Sequence, residues 1–274
     1  MPLLEMAGIE KHFGGVTALD GVDFQADAGE VMALVGDNGA GKSTLIKTVA
    51  GAHQPDAGTI RLQGREVVMR SPQDAWKLGI ATIFQELALA DKMNVPDNIF
   101  LGQELRRSFL GIPFLDHKRM RRRTRELLAD LEVQIQDLDL TVESMSGGQR
   151  QGVAIARALN LDADLIIMDE PTAALAVAEV RKVLDFILRL RGQNKGVVLI
   201  SHNIQDVFAV ADRVTVMRQG QVEAVRRIDE TTPEEVIALI TGASAVDLSH
   251  RPDRDTAGGP AAGEKAPAGQ ARPA

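Results

Sequence analysis

Nine consecutive residues carry the clearest chemistry in this 274-residue chain: Gly36-Asp37-Asn38-Gly39-Ala40-Gly41-Lys42-Ser43-Thr44. Glycines at this spacing let a backbone curl until its N–H groups converge on phosphate oxygens. A helix starting at Lys42 adds the positive end of its dipole to the same point. The Lys42 ammonium then reaches between a β- and a γ-phosphate, and the Ser43 hydroxyl is a hard oxygen suited to Mg²⁺. Further on, the apolar run Leu165-Ile166-Ile167-Met168 delivers two adjacent carboxylates, Asp169 and Glu170. Asp169 suits the shell of a divalent cation, directly or through water. Glu170, on the opposite face of a strand, could polarise an attacking water. By itself such a pair is more often an ordinary loop; beside a phosphate cradle it gains meaning. A third element, Ser146-Gly147-Gly148-Gln149, precedes an apolar helical run and forms a second anion-receiving helix start, or simply a capped one. One nucleotide has no use for two cradles in one chain, so the second is expected to face the γ-phosphate held by another copy.

Positioning these groups requires particular elements. Val31-Met32-Ala33-Leu34-Val35 is continuously apolar and ends at Gly36, as in a strand buried on both faces. Residues 42–50 have helical spacing with Gly51 as a stop. Residues 165–168 and 197–200 are further buried-strand candidates, and the helical stripe Val180, Val183, Leu184, Ile187 and Leu188 lies between them. Strand, helix and strand make a βαβ unit and an α/β core. The first thirty or so residues predict strands, with turns at Gly14-Gly15 and Asp20-Gly21. Residues 87–159 show helical patterns and loops but no strong strand. Within them, residues 116–130 hold a basic cluster ahead of Leu127, Leu128 and Leu131. This predicts a solvated helix face over an inward apolar stripe, with contact to a partner or to anionic headgroups as the other reading. Gln219-Gly220 predicts a hairpin over 214–225, and residues 234–240 a short helix. Beyond residue 244 the Ala, Gly and Pro content predicts a disordered tail.

Composition narrows the function classes. Hydrophobic residues are 45% and charged residues 25%, ordinary for a globular chain. A net charge of −7 and a pI near 5.3 argue against sequence-independent nucleic-acid binding. Without cysteine there are no disulfides, thiolate metal sites or cysteine nucleophile. No run is long enough to span a bilayer, and the first residues lack a secretory pattern.

The order of the 36–44 loop, Gln85, Met145 to Gln149, Asp169-Glu170 and His202 resembles the ATP-binding subunits of ABC transporters over about residues 3–241. The segments 84–102 and 201–216 look like those of monosaccharide importers of the ribose, xylose and fructose type. The resemblance implies an α/β P-loop NTPase: a RecA-like parallel-sheet core, an N-terminal antiparallel β region and an α-helical subdomain inserted over about 87–160. The ATP-binding domain would cover 1–243. It implies ATP and Mg²⁺ as ligands, with Ser43, Gln85 and Asp169 toward the metal. Lys42, Gln85, Glu170 and His202 would be catalytic, and Phe13 would stack on adenine. The rest of the 36–44 loop, with Ser146, Gly147, Gly148 and Gln149, would bind nucleotide. Without the resemblance Phe13 reads as core and His202 as a strand-end histidine. Also implied are a homodimer, permease subunits, an indirect extracytoplasmic sugar-binding protein, no nucleic acid, and a peripheral position on the cytoplasmic face of the membrane. Other readings are an ABC ATPase for another solute, one acting off the membrane on DNA or ribosomes, a P-loop kinase or GTPase, or a non-hydrolysing subunit paired with an active partner. Two positions depart from the family pattern: Ala176 replaces the usual interface aspartate, and Met145 the usual leucine.

Overall fold

The computed structural model describes residues 2–109, 112–173 and 175–242. The predicted tail lies outside them. Two long antiparallel strands open the chain, β1 (Leu4–Phe13) and β2 (Val16–Ala26), turning at Gly14 and Gly15. Asp20-Gly21, expected to turn, instead lies within β2 at a register shift, with Gly21 at φ 62°. The reason is tertiary: the Asp20 N–H leaves β1 and donates to the Gly220 carbonyl at 2.9 Å.

β3 (Val31–Gly36) and α1 (Lys42–Val49) follow as predicted. Next come β4 (Ala57–Leu62), β5 (Arg65–Glu66), α2 (Pro72–Lys77) and β6 (Ile80–Ile83). The middle of the chain holds α3 (Val95–Ile99), a ribbon of β7 (Arg106–Phe109) and β8 (Ile112–Leu115), α4 (His117–Asp130) and α5 (Gly147–Leu159). The ribbon lies in the 87–159 stretch where the sequence shows no strong strand. Its exposed apolar side chains carry no buried-face signal. On α4, Met120, Thr124, Leu127 and Leu128 are buried and the cations outward, as predicted. The chain returns through β9 (Leu165–Asp169), α6 (Val177–Gly192), β10 (Gly196–Ile200), α7 (Ile204–Val210), β11 (Arg213–Arg218), β12 (Gln221–Arg227) and α8 (Pro233–Thr241).

Two main sheets result. One runs β2-β1-β4-β5; the other runs β12-β11-β3-β10-β9-β6, parallel except for the edge strand β12. Strand alternation sorts the core. Leu165, Ile167, Val198 and Ile200 pack toward the N-terminal sheet and α1, while Ile166, Met168, Val197 and Leu199 pack toward the helices. The two sheets meet along a seam. Besides the Asp20 bond, the Gly220 N–H donates to the Ala40 carbonyl at 3.1 Å, and the Gln221 amide to the Asp20 carboxylate at 2.7 Å.

Candidate functional site

Parallel strands end on one edge of their sheet, where α/β folds bind ligands. Gly36 ends β3 and Asp169 ends β9; His202 follows β10 and Gln85 follows β6. Leu34, Ile200 and Asp169 lie side by side in register, which brings the loop, the acidic pair and the histidine together.

The loop needs its glycines for measurable reasons. A β-carbon on Gly36 would stand 2.3 Å from the Met217 carbonyl oxygen, and one on Gly41 2.7 Å from that of Ala18. Gly41 also has φ 102° at the start of α1. The Lys42 ammonium donates to the Gly36 carbonyl at 2.7 Å and the Asp37 carbonyl at 3.0 Å, so it lies folded over its own loop. Burial lowers its pKa, opposed by the Glu170, Asp169 and Asp37 carboxylates. Asp169 is raised, first by burial and then by Glu170, against the pull of Lys42 and Lys47. The site thus holds a carboxylate whose charge its cations do not fully compensate.

Glu170 sits in the left-handed region at φ 52°, and its N–H donates to the Ile200 carbonyl at 2.9 Å. Non-glycine residues are held there only when their surroundings impose it. Its carboxylate stands 2.6 Å from His202 Nδ1, a pairing the sequence did not signal. The histidine side chain is 76% exposed and the glutamate 12%, so the imidazole tips a mostly covered acid toward the open edge. Thr172 ties the following turn to α7 by donating to Asp206 at 2.8 Å. Gln85 is exposed in its loop and forms no hydrogen bond among the described residues. For Mg²⁺ the donor set fits: one strand-end carboxylate and a hydroxyl match a cation that keeps waters and takes phosphate oxygens. Among the described residues no group of three or more Asp, Glu, His or Cys side chains is arranged to hold a metal ion by itself.

Phe13 ends β1 half exposed, not in the core. His53 meets it edge-on at 5.2 Å, and the Lys11 ammonium lies 5.6 Å from its centroid. Both neighbours were missed; Lys11 was findable, since two residues apart on a strand means one face.

Ser146 caps α5 by accepting from the Gln149 N–H at 3.2 Å, and the Gln149 side chain accepts from the Ser146 N–H at 3.1 Å. The serine O–H has no acceptor among the described residues. A β-carbon on Gly148 would overlap the Glu179 carboxylate, a neighbour overlooked in the sequence although it stands at capping spacing from Ala176. A cavity of about 500 Å³ opens beside this turn over Ile155, Val183 and Phe186, away from the phosphate loop. No hydrogen bond or ion pair joins residues 146–149 to residues 36–44 among the described residues.

The family described as "ABC transporter" matches residues 19–173. The xylose/arabinose import ATP-binding protein XylG of Sulfolobus acidocaldarius is 46% identical over 87% of this chain and 94% of its own length. The fructose import ATP-binding protein FrcA of Rhizobium meliloti is also 46% identical, over 88% of this chain and 95% of its own. Among solved structures, a nucleotide-free ATP-binding cassette from an ABC transporter superposes with a TM-score of 0.73 at 25% identity, covering 91% of this chain and 98% of that one. On the matched segment and the extent of these two alignments, the chain belongs to the ABC transporter family.

Proposed function

We propose that this chain binds and hydrolyses ATP to power uptake of a sugar through membrane permease subunits, working as a homodimer on the cytoplasmic face. The observation that carries the chemistry is the common edge at which the 36–44 loop, Asp169, Glu170 and His202 meet. Relatives that import xylose, arabinose and fructose support the sugar. An extracytoplasmic sugar-binding protein completes the reading. No helix among the described residues is long and apolar enough to cross a membrane; in this reading the path belongs to the permease.

In this reading the loop N–H groups and the helix start hold the phosphates, and Lys42 leaves its carbonyl partners for the β- and γ-oxygens. Ser43, Asp169 and Gln85 would hold Mg²⁺, which would supply positive charge to neutralise the phosphate oxygens. Glu170 takes a proton from the attacking water, and His202 holds that carboxylate and faces the γ-phosphate. Phe13 stacks on adenine. Ser146 and the N–H groups of Gly147 and Gly148 in a second copy close on the same γ-phosphate, with Gln149 bracing the turn. ATP therefore bridges two copies, and hydrolysis removes the bridge. Only such a difference in affinity between open and closed states can drive a cycle. Residues 87–160 serve as the helical subdomain, and the stretch after Gln85 receives the permease.

Glu170→Gln tests the assignment. Turnover is expected to fall by about 100-fold or more, with ATP binding kept and a lasting ATP-bound dimer. Near-normal turnover removes Glu170 from the role of base. Copurification with nucleic acid instead of an integral membrane protein removes transport.

A further inference from the structure

Residues 105–125 carry eight arginine and lysine side chains against the single carboxylate of Asp116, a net +7 in a chain whose total is −7. Much of this charge is unneutralised. Arg121 pairs with Asp139 and Arg123 with Glu126, but Arg107, Lys118, Arg119, Arg122 and Arg125 have no ion pair among the described residues. Lys118 and Arg119 also sit in the first turn of α4, where the helix field opposes positive charge, and that turn contains no acidic residue. Neither intrachain pairing nor helix stability accounts for this placement.

The same segment holds the β7–β8 ribbon. Every side chain of β8 is exposed: Ile112 is 58%, Phe114 48% and Leu115 42% accessible, with Pro113 between them. Cross-strand register pairs Arg107 with Phe114 and Arg106 with Leu115, so each face of the ribbon sets an arginine beside an apolar side chain. A lone two-stranded ribbon is marginal in water, and apolar groups on both faces make it more so. One residue, Asp116, separates β8 from α4, and its N–H donates to the Leu105 carbonyl at 2.8 Å, closing the ribbon base against the helix start. Apolar side chains interleaved with unpaired cations complement an interface whose outer layer is anionic and whose inner layer is hydrocarbon.

We propose that the β7–β8 ribbon and the first two turns of α4 form a docking surface for the anionic headgroups of a lipid bilayer, with Ile112, Phe114 and Leu115 entering the acyl boundary. This contact is distinct from the permease contact and does not depend on it or on ATP hydrolysis.

The test uses the purified full chain without a permease. It is sedimented with phosphatidylcholine vesicles or with vesicles containing about one third phosphatidylglycerol. Binding is expected to the anionic vesicles alone and to weaken with salt. Arg107→Ser and Arg122→Ser should each lower partitioning about fivefold. Ile112→Ser with Phe114→Ser should lower it further at unchanged charge. ATP turnover is the control for folding, since none of these residues lies at the nucleotide site. Because Arg122 is an exposed helix position, its variant keeps the test decisive if a ribbon variant fails to fold. Equal binding to both vesicle types, binding to neither, or binding of duplex DNA with none to vesicles overturns the proposal. So does full vesicle binding by the Arg122 variant.

Discussion

At Asp169 the demands of folding oppose those of the proposed cation binding. Its pKa is raised by burial and by Glu170, so the ionised form is less favourable folded than unfolded. Above its folded pKa the carboxylate therefore subtracts from stability. As pH falls through that value the group takes up a proton and the penalty disappears. Asp169→Asn is expected to melt no lower, and at neutral pH higher, than the parent without nucleotide, while Mg²⁺-dependent ATP turnover is lost. The difference in melting temperature should close on acidification, and a large fall at neutral pH would contradict the burial argument. Phe13 makes a second prediction at this scale. It is half exposed, so Phe13→Ala should leave the fold intact, while loss of a base–aromatic stack lowers nucleotide affinity between about fivefold and a hundredfold with kcat little changed. Unchanged affinity in a titration would return Phe13 to a packing role.

Among the elements, α6 begins without a side-chain cap. Ala176 has the extended backbone of a capping residue, φ −69° and ψ 152°, but no acceptor to offer; only the Glu179 carboxylate reaches back, to its N–H at 3.3 Å. Ala176→Ser should raise stability by about 1 kcal/mol, or about 3 °C in melting temperature for a protein of this size. The gain is read by calorimetry on the nucleotide-free chain, and an unchanged melt would mean that Glu179 already suffices. Elements that were legible in the residues share one property. β3, β9 and β10 are buried on both faces and so read as unbroken apolar runs, while α4 separates its faces by charge. Those that escaped notice lacked such contrast. β6 is four residues long and begins two residues after α2, and β8 is exposed on both faces. The Asp20-Gly21 bulge looked like a turn because its decisive hydrogen bond comes from two hundred residues away. For the same reason the 36–44 loop and the acidic pair could be read locally, whereas the Glu170–His202 and Gly148–Glu179 contacts could not; each joins separate elements.

At the scale of the whole molecule, the proposed bridging mechanism has one chain offer half of each site. Magnesium nucleotide at about a hundred times its Kd should stabilise the fold by about 2.7 kcal/mol, raising the melting temperature by several degrees. With hydrolysis blocked by Glu170→Gln, light scattering should report a dimer in ATP and a monomer in ADP. A monomer in saturating ATP would overturn the bridging mechanism while leaving nucleotide binding intact. The seam between the sheets carries a further consequence. Phe13 stands on one sheet and the phosphate loop on the other, yet Asp20, Ala40 and Gly220 bind the two together beside that loop. The span from ring to cradle is therefore set when the chain folds and works as a fixed gauge. If Phe13 stacks on a base as proposed, these hydrogen bonds hold the distance at which base and phosphates must stand apart.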